Sequence, residues 1–152
     1  MSQHSPENAI LQTIGRLIDI EDLAFDDEGL CLLELADEIP VALKNDTHRH
    51  RVVLIAVLAT IEELAPDLSK AVLGWNLQRR EQYCPWIAWD EEDSRLVMGE
   101  EISHRETAEE ISKKFETFMD SLLECRGFLA DVSDNSAPSG SAESGVDWTQ
   151  RA

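Results

Sequence analysis

Three apolar runs, Leu30-Cys31-Leu32-Leu33-Glu34-Leu35, Ile39-Pro40-Val41-Ala42-Leu43 and Val52-Val53-Leu54-Ile55-Ala56-Val57-Leu58, follow one another with short polar breaks. Runs of this length, rich in β-branched residues and bounded by turn formers, read as strands. Ala36-Asp37-Glu38 is short enough for a tight reversal, and the polar, basic stretch 45–51 is a loop, so the three strands are expected to be successive and antiparallel. Pro40 cannot donate to a ladder, which places it near a strand start or at an edge. The third run has the composition of a strand buried on both faces.

Working outward, Ser5 and Pro6 form a helix start, with the serine expected to cap and proline at the first helical position. Ile10, Leu11, Ile14, Leu17 and Ile18 then make one apolar stripe of a helix over about Pro6 to Asp19. Leu23 to Phe25, followed by Asp26-Asp27-Glu28-Gly29, reads as a hairpin-like entry into the sheet. On the other side, Pro66 opens a helix carrying Leu68, Ala71, Val72 and Trp75, which should fade near Glu81 because Pro85 forbids much continuation.

Trp86-Ile87-Ala88-Trp89 and Arg95-Leu96-Val97-Met98 flank an acidic connection, a second antiparallel pair. Ser103 and Glu106 have capping-box spacing, and Ala108, Ile111, Phe115, Phe118, Leu122 and Cys125 step by three and four as a helix requires. After Ala130 the chain turns Ser/Gly/Asp-rich, too poor in apolar residues to offset the entropy of ordering it. The expected class is therefore α+β in the order α-β-β-β-α-β-β-α, with an antiparallel sheet packed by helices over residues 1–130 and a disordered acidic tail over 131–152.

Composition narrows the function. The 152 residues suit one core, and 13 Lys+Arg against 31 Asp+Glu give a formal charge of −18. Such a surface repels phosphate backbones and anionic lipid, so neither nucleic acid nor membrane is an expected partner. Cys31, Cys84 and Cys125 are an odd, widely spaced set that fits reduced buried thiols better than a disulfide framework or a zinc site. The N-terminus lacks a basic start with a continuous apolar run, and no stretch reaches the roughly 20 apolar residues of a membrane helix, so a cytosolic location is expected.

Chemical motifs are sparse. The isolated glycines form no phosphate-cradling loop, and no nucleophile elbow surrounds a serine. His48-Arg49-His50 offers two imidazoles without a third or fourth ligand and is read as a solvated loop, with no metal expected. His104 is expected to face solvent at a helix start. The clusters 26–28 and 90–93 lack the alternating ligand pattern of a calcium loop and are read as turns. No catalytic residue or cofactor is expected. Trp75, Tyr83, Trp86 and Trp89 crowd the junction of the second helix with the second hairpin, where large aromatics suit an interface.

Leu23-Ala24-Phe25-Asp26-Asp27-Glu28-Gly29 leading into the 30–35 strand, Ile39-Pro40-Val41-Ala42-Leu43, the strand ending near Leu58, Asn76 after Leu-Gly-Trp and the late Leu/Phe-rich helix resemble the Tir-chaperone family of class I type III secretion chaperones. The resemblance covers about Ala9 to Leu129. Ile87-Ala88-Trp89-Asp90 departs from the family's glycine-containing pattern there. The resemblance implies a homodimer in a Gram-negative cytoplasm that holds the extended N-terminal segment of a secreted virulence effector without enzymatic activity, with the secretion-apparatus ATPase as a further partner. On that basis Leu11, Ile14, Leu32, Leu33, Val41 and Leu43 are candidate cargo contacts, and Val72, Trp75, Trp86 and Trp89 candidate dimer contacts. The alternatives are an acidic adaptor that sequesters a basic protein, resting on the charge, and a small enzyme with a nonstandard carboxylate site.

Overall fold

The structure is a computed structural model and describes residues 5–35, 39–79 and 85–136. The elements run α1 (Pro6–Leu17), β1 (Leu30–Leu35), β2 (Ile39–Asp46), β3 (Arg51–Thr60), α2 (Pro66–Arg79), β4 (Trp86–Asp90), β5 (Arg95–Ser103) and α3 (Ala108–Ser136). This is the expected α+β order. The five strands form one antiparallel sheet in the order β1-β2-β3-β5-β4.

Alternation sorts the sheet's side chains. Cys31, Leu33, Val41, Leu43, Val52, Leu54, Ala56, Leu58, Met98 and Ile102 point to one face, where they meet Ile10, Leu11 and Ile14 of α1 and Ile111, Phe115, Phe118, Leu122, Cys125 and Leu129 of α3. The opposite parity forms a second face on which Leu32, Ala42, Ile55, Gly99 and Trp86 lie in one row across all five strands. Val53, Ile55 and Val57 on it are only half-buried, which corrects the expectation of a β3 buried on both faces.

Local chemistry explains several boundaries. The Ser5 hydroxyl makes no capping bond; its carbonyl accepts the Ala9 N–H at 3.1 Å instead. α1 stops at Leu17, two residues early, because Gly15 accepts the Ile20 N–H at 2.9 Å and Asp19 turns left-handed at φ 57°. A Cβ at Gly15 would lie 2.6 Å from the Ile20 carbonyl oxygen, so only glycine admits this reversal. Leu23 and Phe25 pack against the core from a non-regular segment rather than a hairpin strand.

Pro40 is the second residue of β2, one position before the β2–β3 register begins at Val41, so its missing donor costs no ladder bond. The helix-starting box is Thr107 with Glu110, whose side chains exchange bonds with each other's N–H at 3.2 and 2.8 Å. Ser103 ends β5, and its N–H donates to Glu106 at 2.6 Å. α3 continues to Ser136, six residues beyond the boundary expected at Ala130. The expected reversal at 36–38, the fading of α2 near Glu81, Tyr83, Cys84 and the rest of the tail lie outside the described residues.

Candidate functional site

A sheet that is not closed into a barrel has two edges, and each exposes the backbone groups its outermost strand does not pair. At the β1 edge, the turn before the strand sets which residues face out. Gly29, at φ 78°, sends its carbonyl inward to the Asn45 N–H at 2.8 Å. Leu30 turns the other way: its N–H donates to Asp26 Oδ1 at 2.9 Å and its carbonyl accepts the Asp26 N–H at 2.8 Å. Because successive residues alternate, Leu32 and Glu34 also direct both backbone groups outward. Among the described residues these groups meet no partner. The Leu32 side chain is 77% exposed, and that of Glu34 is exposed on the same face.

The β4 edge is built differently. Pro85, just before it, has no donor. The Asn76 side chain of α2 reaches Ile87, donating from Nδ2 to its carbonyl at 2.9 Å and accepting its N–H on Oδ1 at 2.9 Å. One amide thus stands where a neighbouring strand would stand, and by alternation only Trp89 of β4 turns outward groups that meet no partner among the described residues. Next to this closed edge, α2 presents Leu73 and Leu77, spaced i and i+4 and exposed by 68% and 66%. Trp86 lies across Gly99, where an added Cβ would fall inside the indole.

The structure separates the expected site residues. Leu11, Ile14, Leu33, Val41 and Leu43 are buried in the core, with Leu11 also at the wall of the groove beside α1. Leu32 alone of that set is exposed. Of the expected dimer contacts, Val72 and Trp75 are packed in the core, with the Trp75 ring 5.5 Å from that of Phe128, Trp89 is half-buried, and Trp86 is on the surface. Leu73 and Leu77 were not singled out from sequence, although their four-residue spacing was a signal.

α1 and the segment after it form an open groove of about 780 Å³ lined by Leu11, Gln12, Arg16, Ile20, Asp22 and Leu23 among others. Burial pushes the Cys31 thiol above its ordinary value, as expected of an unreactive core cysteine. His104 is half-buried rather than fully solvent-facing: its ring meets that of His50 edge-on at 6.0 Å, and Nε2 is enclosed without a hydrogen bond among the described residues. No group of three metal-ligating side chains forms among the described residues, and no helix there is long and apolar enough to cross a membrane.

These features define a small α+β protein with one sheet edge open to another chain and an apolar helix stripe beside the other edge. The chain belongs to the Tir chaperone protein (CesT) family, whose model matches residues 9–126. This is the family that the resemblance implied. No curated protein matches the chain. Among solved structures, it is similar to a chain of the HopA1-SchA chaperone-effector complex, with 18% identity, TM-score 0.67, and 80% of this chain and 94% of that one covered. A chain of the ExsC-ExsE complex matches with 20% identity and TM-score 0.63, covering 76% and 87%. The Yersinia pestis type III secretion chaperone SycH in complex with a stable fragment of YscM2 matches with 12% identity and TM-score 0.58, covering 76% and 96%. At these identities the likeness is one of fold.

Proposed function

We propose that the protein captures the extended N-terminal segment of a secreted effector as an added strand on the β1 edge and keeps that segment stable and secretion-competent. The observation that carries this reading is the pair of outward-facing, unpartnered residues Leu32 and Glu34 beside an exposed apolar side chain. Main-chain hydrogen bonds supply affinity to any extended chain, and the side chains beside them supply selection. The groove beside α1, with Leu11 in its wall, offers a continuation for the segment. Leu11, Ile14, Leu33, Val41 and Leu43 serve this reading as the packed wall that holds the edge rigid, and Leu32 is the direct contact.

The same reading makes the protein a homodimer in the cytoplasm, joined through α2 and β4 with Leu73, Leu77 and Trp86 as contacts. Two exposed leucines on one stripe of α2, with an exposed tryptophan on the adjoining β4, are apolar surface that a second copy would bury. The reading is one of binding without turnover, and docking on the secretion-apparatus ATPase belongs to it too.

Co-expression with the N-terminal segment of the secreted protein encoded beside it tests the proposal. A complex of two copies with one segment, by light scattering, persisting in moderate salt, is the expected result. A lone monomer that captures no segment contradicts it. The charge of −18 favours one second reading, an acidic adaptor for a basic protein. That adaptor would lose its partner steeply as salt is raised.

A further inference from the structure

The β1 edge also carries information about what it binds. Leu32 and Glu34 share one face of the sheet, two positions apart, and both are exposed. Glu34 has no ion-pair partner among the described residues. The cation nearest in register on that face, Lys44, sits on β2 opposite Leu30, four residues along β1 from Glu34 and one strand inward. At the Leu30 end, Asp26 already occupies the outward backbone groups, so an added strand must align with Leu32 and Glu34.

A strand there puts successive same-face side chains beside Leu32 and then beside Glu34, because strands alternate with period two. Next to Leu32 an apolar side chain continues the row Leu32, Ala42, Ile55, Gly99 and Trp86. Next to Glu34, on a chain of net charge −18, a cation is favoured and an acid is disfavoured.

We infer that the edge selects segments in which an apolar residue and a Lys or Arg stand two positions apart on one face, the apolar residue beside Leu32 and the cation beside Glu34. This rests on the strand-capture reading above and specifies its partner.

The test is a displayed library of random 12-residue segments selected on the full-length protein, on Glu34→Lys and Glu34→Gln, and on Leu32→Asp. Both positions are exposed, and thermal melts confirm that each variant folds. The wild-type protein is expected to enrich segments with an apolar residue and a Lys or Arg two positions apart, Lys/Arg-x-apolar on a strand antiparallel to β1 and apolar-x-Lys/Arg on a parallel one. Glu34→Lys should keep the apolar position and exchange the cation for Asp or Glu, Glu34→Gln should lose the charge preference, and Leu32→Asp should lose the apolar one. An individual clone should weaken about two- to fivefold on Glu34→Gln, the effect of one cross-strand charge pair. An identical consensus on wild type and Glu34→Lys overturns the inference and leaves strand capture standing. Failure of every protein to enrich any segment overturns both.

Discussion

The two edges of the sheet are made from strands of similar length, yet they leave very different amounts of backbone for another chain. On β1, Asp26 satisfies only Leu30, and Leu32 and Glu34 remain open in succession. On β4, Pro85 brings no donor and Asn76 fills both bonds of Ile87, so Trp89 stands alone. An added strand needs consecutive outward groups. Edge strands otherwise invite indiscriminate pairing, and one well-placed amide is enough to remove that hazard from one side. The proposed function gives the two ends separate work: backbone recognition at β1, and burial of an apolar patch at α2 and β4.

The largest expected effect breaks the self-association end. Leu73→Glu with Leu77→Glu removes two apolar side chains from the proposed contact, about 3 kcal/mol or more, and should weaken dimerisation at least a hundredfold in sedimentation equilibrium while leaving the fold intact. A double variant that stays dimeric at micromolar concentration removes this stripe from the interface. Next, Asn76→Ala should make the two edges alike. It strips both partners from Ile87 and should cost about 1–3 kcal/mol in chemical denaturation, with the Ile87 amide exchanging faster with solvent. Unchanged exchange would mean that the amide is not what closes β4.

At the open end, Leu32→Asp should weaken segment capture by about 1–2 kcal/mol, five- to thirtyfold, and move folding stability by no more than about 0.5 kcal/mol because the side chain is already in water. A fall in stability as large as the fall in affinity would place Leu32 in the core instead.

The smallest effects are electrostatic and should spare both edges. Arg51 and Arg95 hydrogen-bond Asp46 and Asp90 and hold these carboxyls below their ordinary value of 3.8. Groups lowered on folding stabilise above their unfolded pKa, and that contribution is lost as pH falls through the folded value, so it disappears only below about pH 3.8. Glu100 has the opposite sign. Burial raises it above 4.5 despite Lys114 at 3.6 Å, so its charged form burdens the native state at neutral pH, and the burden lifts as pH falls through the raised value. Glu100→Gln should therefore flatten the rise of melting temperature between pH 7 and about 4.5. An unchanged slope would assign the rise elsewhere.

Element types and their order were legible because the strands are compact apolar runs and α3 steps regularly by three and four. The open edge was half legible. Leu32 and Leu33 cannot both face cargo, since neighbours in a strand point oppositely, and exposed Glu34 marks the parity that Leu32 shares. Applying that parity separates Leu32 from Leu33 without coordinates. The closure of β4 had no such signal, because Asn76 and Ile87 meet only when α2 docks, eleven residues apart in sequence. The placement of β5 between β3 and β4 was hidden for the same reason: pairing across a helix leaves no local trace. Thr107 and Glu110 were legible but overshadowed by Ser103 and Glu106, which have the same spacing one turn earlier.

The central claim is that another chain adds to β1 and not to β4. Residue-resolved amide exchange, with and without the captured segment, tests it directly. The account predicts that the Leu32 and Glu34 amides slow at least about tenfold on capture, as expected when an exposed donor gains a strand partner, while Ile87 and Trp89 do not change. Fast exchange at Leu32 and Glu34 in the complex, with protection appearing at Trp89, would contradict it.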